Sequence, residues 1–110
     1  MRKVYNVYIV TNPKCRVLYT GVSNDLAQIL VEHYLNKGKN DTFAERYFCY
    51  NLLYWESFDY VEDAIAREKE IKSWRREKKE QLINSFNPDW KFLNREILDW
   101  PPKEQFSRGK

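Results

Sequence analysis

Two residues sit where apolar side chains are expected. Glu68 falls on the same helical stripe as Ala64, Ile65 and Ile71, the stripe a helix turns toward its core. A carboxylate there costs roughly several kcal/mol unless it is paired, hydrogen-bonded or bound to a metal. His33, the only histidine, follows Leu26, Ile29 and Leu30 at helical spacing. An inward glutamate is most often half of an ion pair, and a lone histidine on an apolar face is most often a satisfied core residue. By themselves these two residues decide no chemistry.

The third feature is where the charge lies. Arg67, Lys69, Lys72, Arg75, Arg76, Lys78 and Lys79 stand against Glu68, Glu70 and Glu77. That window is +4 while the whole chain is +3, so the remainder is slightly negative. A concentrated positive face on a near-neutral body suits a polyanion such as DNA. A solvated helix with spaced glutamates is the plainer alternative. Cys15 and Cys49 form no CxxC pair and have no histidine cluster beside them. That excludes a zinc knuckle, a redox motif and a disulfide framework, and suits free thiols in a reducing compartment. The apolar start, Met1 to Val10, is broken by Asn6 and ends without a small-residue cleavage site, unlike a signal peptide. No stretch approaches the ~20 apolar residues of a membrane span. The expectation is a cytoplasmic protein with no membrane partner.

These side chains need elements to position them. The 110 residues suffice for one domain, and 43% hydrophobic content is too high for disorder. Val4 to Val10 and Val17 to Thr20 read as a hairpin around Asn12-Pro13-Lys14, with Gly21 ending the second strand. Ser23 or Asn24 is expected to cap a first helix bearing Leu26, Leu30, Val31 and Tyr34 and closed by Gly38. Lys37 to Glu45 reads as a loop, and Phe48 to Phe58 as a third strand. Asp59 starts a second helix, with Val61, Ala64, Ile65, Glu68 and Ile71 on one face. Ser73 caps a third that ends near Asn87-Pro88. Trp90 to Trp100 is expected to pack back as a short helix or extended cover. The β-β-α-β-α-α order gives an α/β (α+β) domain over residues 1–100, a small antiparallel three-stranded sheet flanked by helices. Residues 101–110 are expected to be a disordered tail beginning at Pro101-Pro102.

Within that frame, Asn6-Val7-Tyr8 in strand one and Tyr19-Thr20-Gly21 about ten residues later resemble the paired motifs of the GIY-YIG nucleases. Leu18 to His33, Ala64 to Trp74 and Leu82 to Trp90 are similar to small stand-alone bacterial members related to the catalytic domain of a DNA-repair excinuclease. The resemblance covers about residues 4 to 93. It implies that Tyr8 and Tyr19 flank a scissile phosphate and that His33 stands beside the attacking tyrosine. It implies that Glu68 holds one divalent ion, Mg²⁺ or Mn²⁺, and that Asn87 supports the site. The implied chemistry is metal-assisted phosphodiester hydrolysis. Arg67, Lys72, Arg75, Arg76, Lys78 and Lys79 are the expected DNA-binding residues. Gly21 is expected to let the backbone pass close to the site.

One position departs from the family. Where its members place an arginine on the first helix, one turn before His33, this chain has Ile29, and neither nearby Ala27 nor Gln28 is an arginine. The lost guanidinium would neutralise the phosphate, so the sequence leaves enzymatic activity open. Arg46 and Arg67 are the candidate substitutes. Three functions follow: a repair-type DNA endonuclease, a DNA-binding domain of the same fold that does not cut, and a protein-interaction module using an exposed Trp90 to Trp100 segment. A protein partner or homodimer has no support in the residues.

Overall fold

The structure is a computed structural model that describes residues 3–103. Strands β1 (Tyr5–Thr11), β2 (Leu18–Ser23) and β3 (Asn51–Phe58) form one antiparallel sheet in the order β2-β1-β3. Around it lie α1 (Leu26–Leu35), α2 (Phe43–Arg46), α3 (Val61–Lys72), α4 (Arg76–Phe86) and α5 (Asn94–Ile97). The expected sheet and its flanking helices are present. Residues 104–110, most of the segment read as a tail, lie outside the described residues.

Because β1 is central, its alternation feeds two cores. Val7 and Ile9 pack with Leu53, Tyr54, Ala64, Ile71 and Ile83 under α3 and α4. Tyr8 and Val10 pack with Leu26, Leu30, Ala44, Cys49, Leu52 and Leu93 under α1. A register shift opposite Ile9/Val10 inserts an extra residue into β3, so the consecutive residues Leu53 and Tyr54 both join the α3 side.

Several boundaries differ from the sequence reading for local reasons. Asp25, rather than Ser23 or Asn24, caps α1, its carboxylate accepting from Gln28 N at 3.0 Å. The Lys37–Glu45 stretch read as a loop contains the start of α2, where the Thr42 side chain accepts from Glu45 N. The third strand begins at Asn51, since Phe48 takes a left-handed φ of 60°. Ser73 ends α3 instead of starting α4, its hydroxyl donating to Glu70 O at 2.7 Å. The apolar stripe of α3 is narrower than expected, with Ala64 and Ile71 buried but Val61 and Ile65 exposed.

The C-terminal segment closes the outer edge of β3. Asn94 accepts from Leu52 N and donates to Tyr50 O, both at 2.8 Å, while Leu93 N donates to Leu52 O. The buried Asn94 side chain substitutes for a fourth strand and blunts that edge. Ile97, Leu98 and Trp100 pack on the α1-side core, and the Trp100 ring meets Tyr34 edge-on at 5.2 Å. Trp90 to Trp100 is therefore a cover over the sheet and not an exposed contact surface. Only Phe92 among its large apolar side chains is exposed. Among the described residues no helix is long and apolar enough to cross a membrane. Both cysteines are free thiols.

Candidate active site at the edge of strand β2

Tyr8 and Gly21 are directly opposed across β1 and β2. A Cβ on Gly21 would lie 2.4 Å from Tyr8 Oη and 2.5 Å from Cζ, so the ring crosses β2 over the bare glycine backbone. Gly21 is thus an interior strand residue that makes room for Tyr8, where the sequence suggested a strand terminator. Tyr8 is only 2% exposed, and its hydroxyl is 3.0 Å from His33 Nε2 on α1. Tyr19 stands beside both, its ring 6.4 Å from Tyr8 and 5.9 Å, edge-on, from His33.

Glu68 reaches this cluster from the opposite face of the sheet. The α3 helix packs over Val7 and Ile9, but β2 is the last strand on that side, so α3 side chains can meet Tyr19 around its edge. Lys72 Nζ is 2.8 Å from Glu68 Oε2 and 5.4 Å from the Tyr19 ring centroid. The i,i+4 spacing puts the two charges on adjacent turns of one helix face. The inward glutamate is therefore half-buried and paired.

Burial, reinforced by Tyr19, Glu68 and Glu32, pushes the Tyr8 hydroxyl far above its ordinary value. Burial also pulls His33 below 6.5, against an opposing pull from Glu32. Near neutral pH the pair is an uncharged phenol and an uncharged imidazole. The tautomer that accepts from Tyr8 at Nε2 carries its hydrogen on Nδ1, a buried atom with no hydrogen-bond partner. Thr20 Oγ1 is likewise buried and unpartnered.

Ile29 packs against the α1-side core and lines a shallow pocket of about 170 Å³ with Ser23, Asn24, Asp25, Gln28 and Glu32. The pocket at the family's arginine position is therefore acidic. Of the two candidate substitutes, Arg67 is committed to Glu56 and Glu70, and Arg46 is exposed on α2. The cation that does stand in the cluster is Lys72. Asn87 is not brought to it. Its amide donates to Leu53 O at 3.1 Å and Lys91 O at 2.8 Å and accepts from Lys91 N, which pins the chain after α4 to β3, the opposite edge of the sheet.

The expected DNA-binding residues divide. Arg76 is held by Glu80 and by the carbonyls of Cys15 and Arg16. Lys79 is lowered by burial and by the nearby charges of Arg76 and Lys72, which marks a positive cluster leading toward Tyr19. Arg75 and Lys78 line a separate groove with Trp74, and Lys78 Nζ lies 4.4 Å from that ring. Among the described residues no group of three or more His, Cys, Asp or Glu side chains could hold a metal. A single carboxylate still suits a hard divalent ion that keeps most of its waters. Glu68 is the one residue of the cluster that could hold it, after exchanging Lys72.

Residues 4–81 match the family described as the GIY-YIG catalytic domain. The chain belongs to that family. It is 36% identical over 80 residues to a UPF0213 protein of Staphylococcus saprophyticus, covering 71% of this chain and 92% of the relative. It is 38% identical over 84 residues to a UPF0213 protein of Haloquadratum walsbyi, covering 74% and 89%. The solution NMR structure of a UPF0213 protein from Bacillus halodurans is similar at a TM-score of 0.51 and 26% identity, covering 87% of this chain and 99% of that one. At the family level this is a nuclease-type domain. The match ends at residue 81, before Asn87.

Proposed function

We propose that the chain is a DNA endonuclease of repair type, cutting at the edge of β2 with Lys72 as the phosphate-neutralising cation. The observation that carries this reading is convergence. The Tyr8–His33 hydrogen bond and the Glu68–Lys72 ion pair meet at Tyr19 from opposite faces of the sheet. Tyr8 donates to neutral His33, which leaves lone pairs on Oη to accept a proton from the attacking water. The Tyr8 proton then passes to Nε2, so neither a free phenolate nor an exposed base is needed. When bound at Glu68, Mg²⁺ or Mn²⁺ supplies Lewis-acid polarisation of the phosphate. Glu68 would hold that ion, and Lys72, its partner beside Tyr19, would then be available to neutralise a phosphate oxygen.

One observation favours a second reading, a DNA-binding domain that does not cut. Ile29 stands in an acidic pocket where the family would place a guanidinium. Plasmid nicking separates the two, run with Mg²⁺ and Mn²⁺ on supercoiled and branched DNA. The nuclease reading expects cutting by the parent, none by Glu68→Ala, and a loss of about 10²–10³ in Lys72→Ala, as for other transition-state donors. A folded parent that binds DNA and cuts none of these substrates with either metal establishes the second reading instead.

A further inference from the structure

The single turn of α2 buries Ala44 and Glu45 and leaves two rings half-exposed, Phe43 at its start (49%) and Tyr47, its C-cap residue (43%). Side by side they make an apolar patch at the surface. The exposed rings also continue the tyrosine cluster. Phe43 stacks on Tyr19 at 6.1 Å with planes 23° apart, and Tyr47 follows at 4.8 Å from Phe43. A ladder of rings thus runs from buried Tyr8 through Tyr19 to solvent at Phe43 and Tyr47.

We infer that Phe43 and Tyr47 form a stacking platform for an unpaired nucleobase next to the cleaved phosphate, so that the substrate is DNA with a splayed or single-stranded segment. The inference rests on the nuclease reading and names its substrate class. Duplex bases hide their faces in the stack, whereas an unpaired base offers a face to any aromatic ring. Charge complements the rings. Lys72 stands over Tyr19, the inner neighbour of Phe43 in the ladder, and Arg46 is exposed on α2 itself, both suited to the phosphates that flank such a base.

The test compares two DNAs of equal phosphate number, a blunt duplex and a duplex with a splayed end, by anisotropy in EDTA so that no cutting intervenes. A 2-aminopurine at the first unpaired position reports stacking. The parent should prefer the splayed DNA by roughly tenfold to a hundredfold, the range a stacked base is worth, and should quench the 2-aminopurine. Phe43→Ala with Tyr47→Ala should lose both the preference and the quenching, and Phe43→Trp should keep them. Both rings are half-exposed, so circular dichroism should show unchanged folding. Equal affinity of the parent for the two DNAs overturns the platform alone, as does a preference that survives the double substitution. Self-association of the parent that the same substitutions abolish, with equal binding of both DNAs, assigns the rings to a second copy of the chain and also overturns it. Failure to bind any DNA, even at low salt, sinks the nuclease reading and the platform together.

Discussion

Replacing Gly21 by alanine should disrupt the site and the fold through one contact. The added methyl would sit 2.4, 2.5 and 2.9 Å from Tyr8 Oη, Cζ and Cε2, far inside contact distance. A ring only 2% exposed has no solvent to swing into. Overpacking of this kind costs about 1–3 kcal/mol. Displacing Oη also breaks the 3.0 Å bond to His33 and leaves a buried nitrogen unpaired, worth about 1–3 kcal/mol more. At about 4–8 °C per kcal/mol for a domain this size, Tm should fall by about 10–50 °C. Steric conflict with this one ring should reverse in sign once the ring is gone. In a Tyr8→Leu background Cζ, Oη and Cε2 are absent, and Gly21→Ala at an ordinary strand position should be neutral or stabilising by about 0.4–1 kcal/mol. Thermal melts of the four proteins of the cycle measure this. Equal destabilisation by Gly21→Ala in both backgrounds would refute the reasoning.

Two further predictions concern charge. Ile29→Arg should leave Mg²⁺-dependent nicking within a few-fold of the parent, because Asp25 and Glu32 line the pocket its guanidinium would enter, at a stability cost of about 1 kcal/mol read by melting. A gain of about tenfold or more that Glu68→Ala abolishes would count against Lys72 as the phosphate-neutralising cation. His33 is held below its unfolded value of 6.5, so the unfolded chain takes up a proton first. Stability contributed by neutral His33 is therefore complete above pH 6.5 and lost as pH falls through the lowered folded value. Melts from pH 7 to pH 4 should show a steeper acid loss for the parent than for His33→Gln, and identical slopes would contradict the assignment.

The sheet was legible because β1 and β3 carry β-branched and aromatic runs, and the hairpin because Asn12-Pro13 breaks the pattern between β1 and β2. Tyr8, Tyr19, His33 and Glu68 were legible as a group only through the resemblance to the GIY-YIG nucleases, carried by several separated motifs. No periodicity places Glu68 near a tyrosine on the other face of a sheet. That proximity depends on β2 being the edge strand, which is a tertiary fact. Local competition hid the rest. Ser73 has the chemistry of an N-cap, yet a hydroxyl two residues too early finds the Glu70 carbonyl first. Asn87 and Asn94 look like ordinary loop polar residues, and only the unpaired edge of β3 gives them their work. The α2 helix is a single turn, too short for any apolar period to register.

Lys72 and Ile29 are best understood together. A guanidinium on α1 at position 29 would enter a pocket already lined by Asp25 and Glu32, and those carboxylates would compete with a phosphate for it. A cation on α3 escapes that competition, since its partner is Glu68 alone among the bonds it makes in the cluster. On the proposed reading the cation has moved from one face of the sheet to the other, onto the same helix as the metal-holding carboxylate. That placement couples two events that are separate when the cation and the carboxylate sit on different elements. Glu68 holds Lys72 at 2.8 Å. A divalent ion held by Glu68 would compete with Lys72 for that carboxylate, and the ammonium beside Tyr19 would then be available to a phosphate oxygen. Affinity for a phosphate at this edge should then rise with divalent metal in the parent and stay flat in Lys72→Ala, a linkage that an arginine on α1 would not produce.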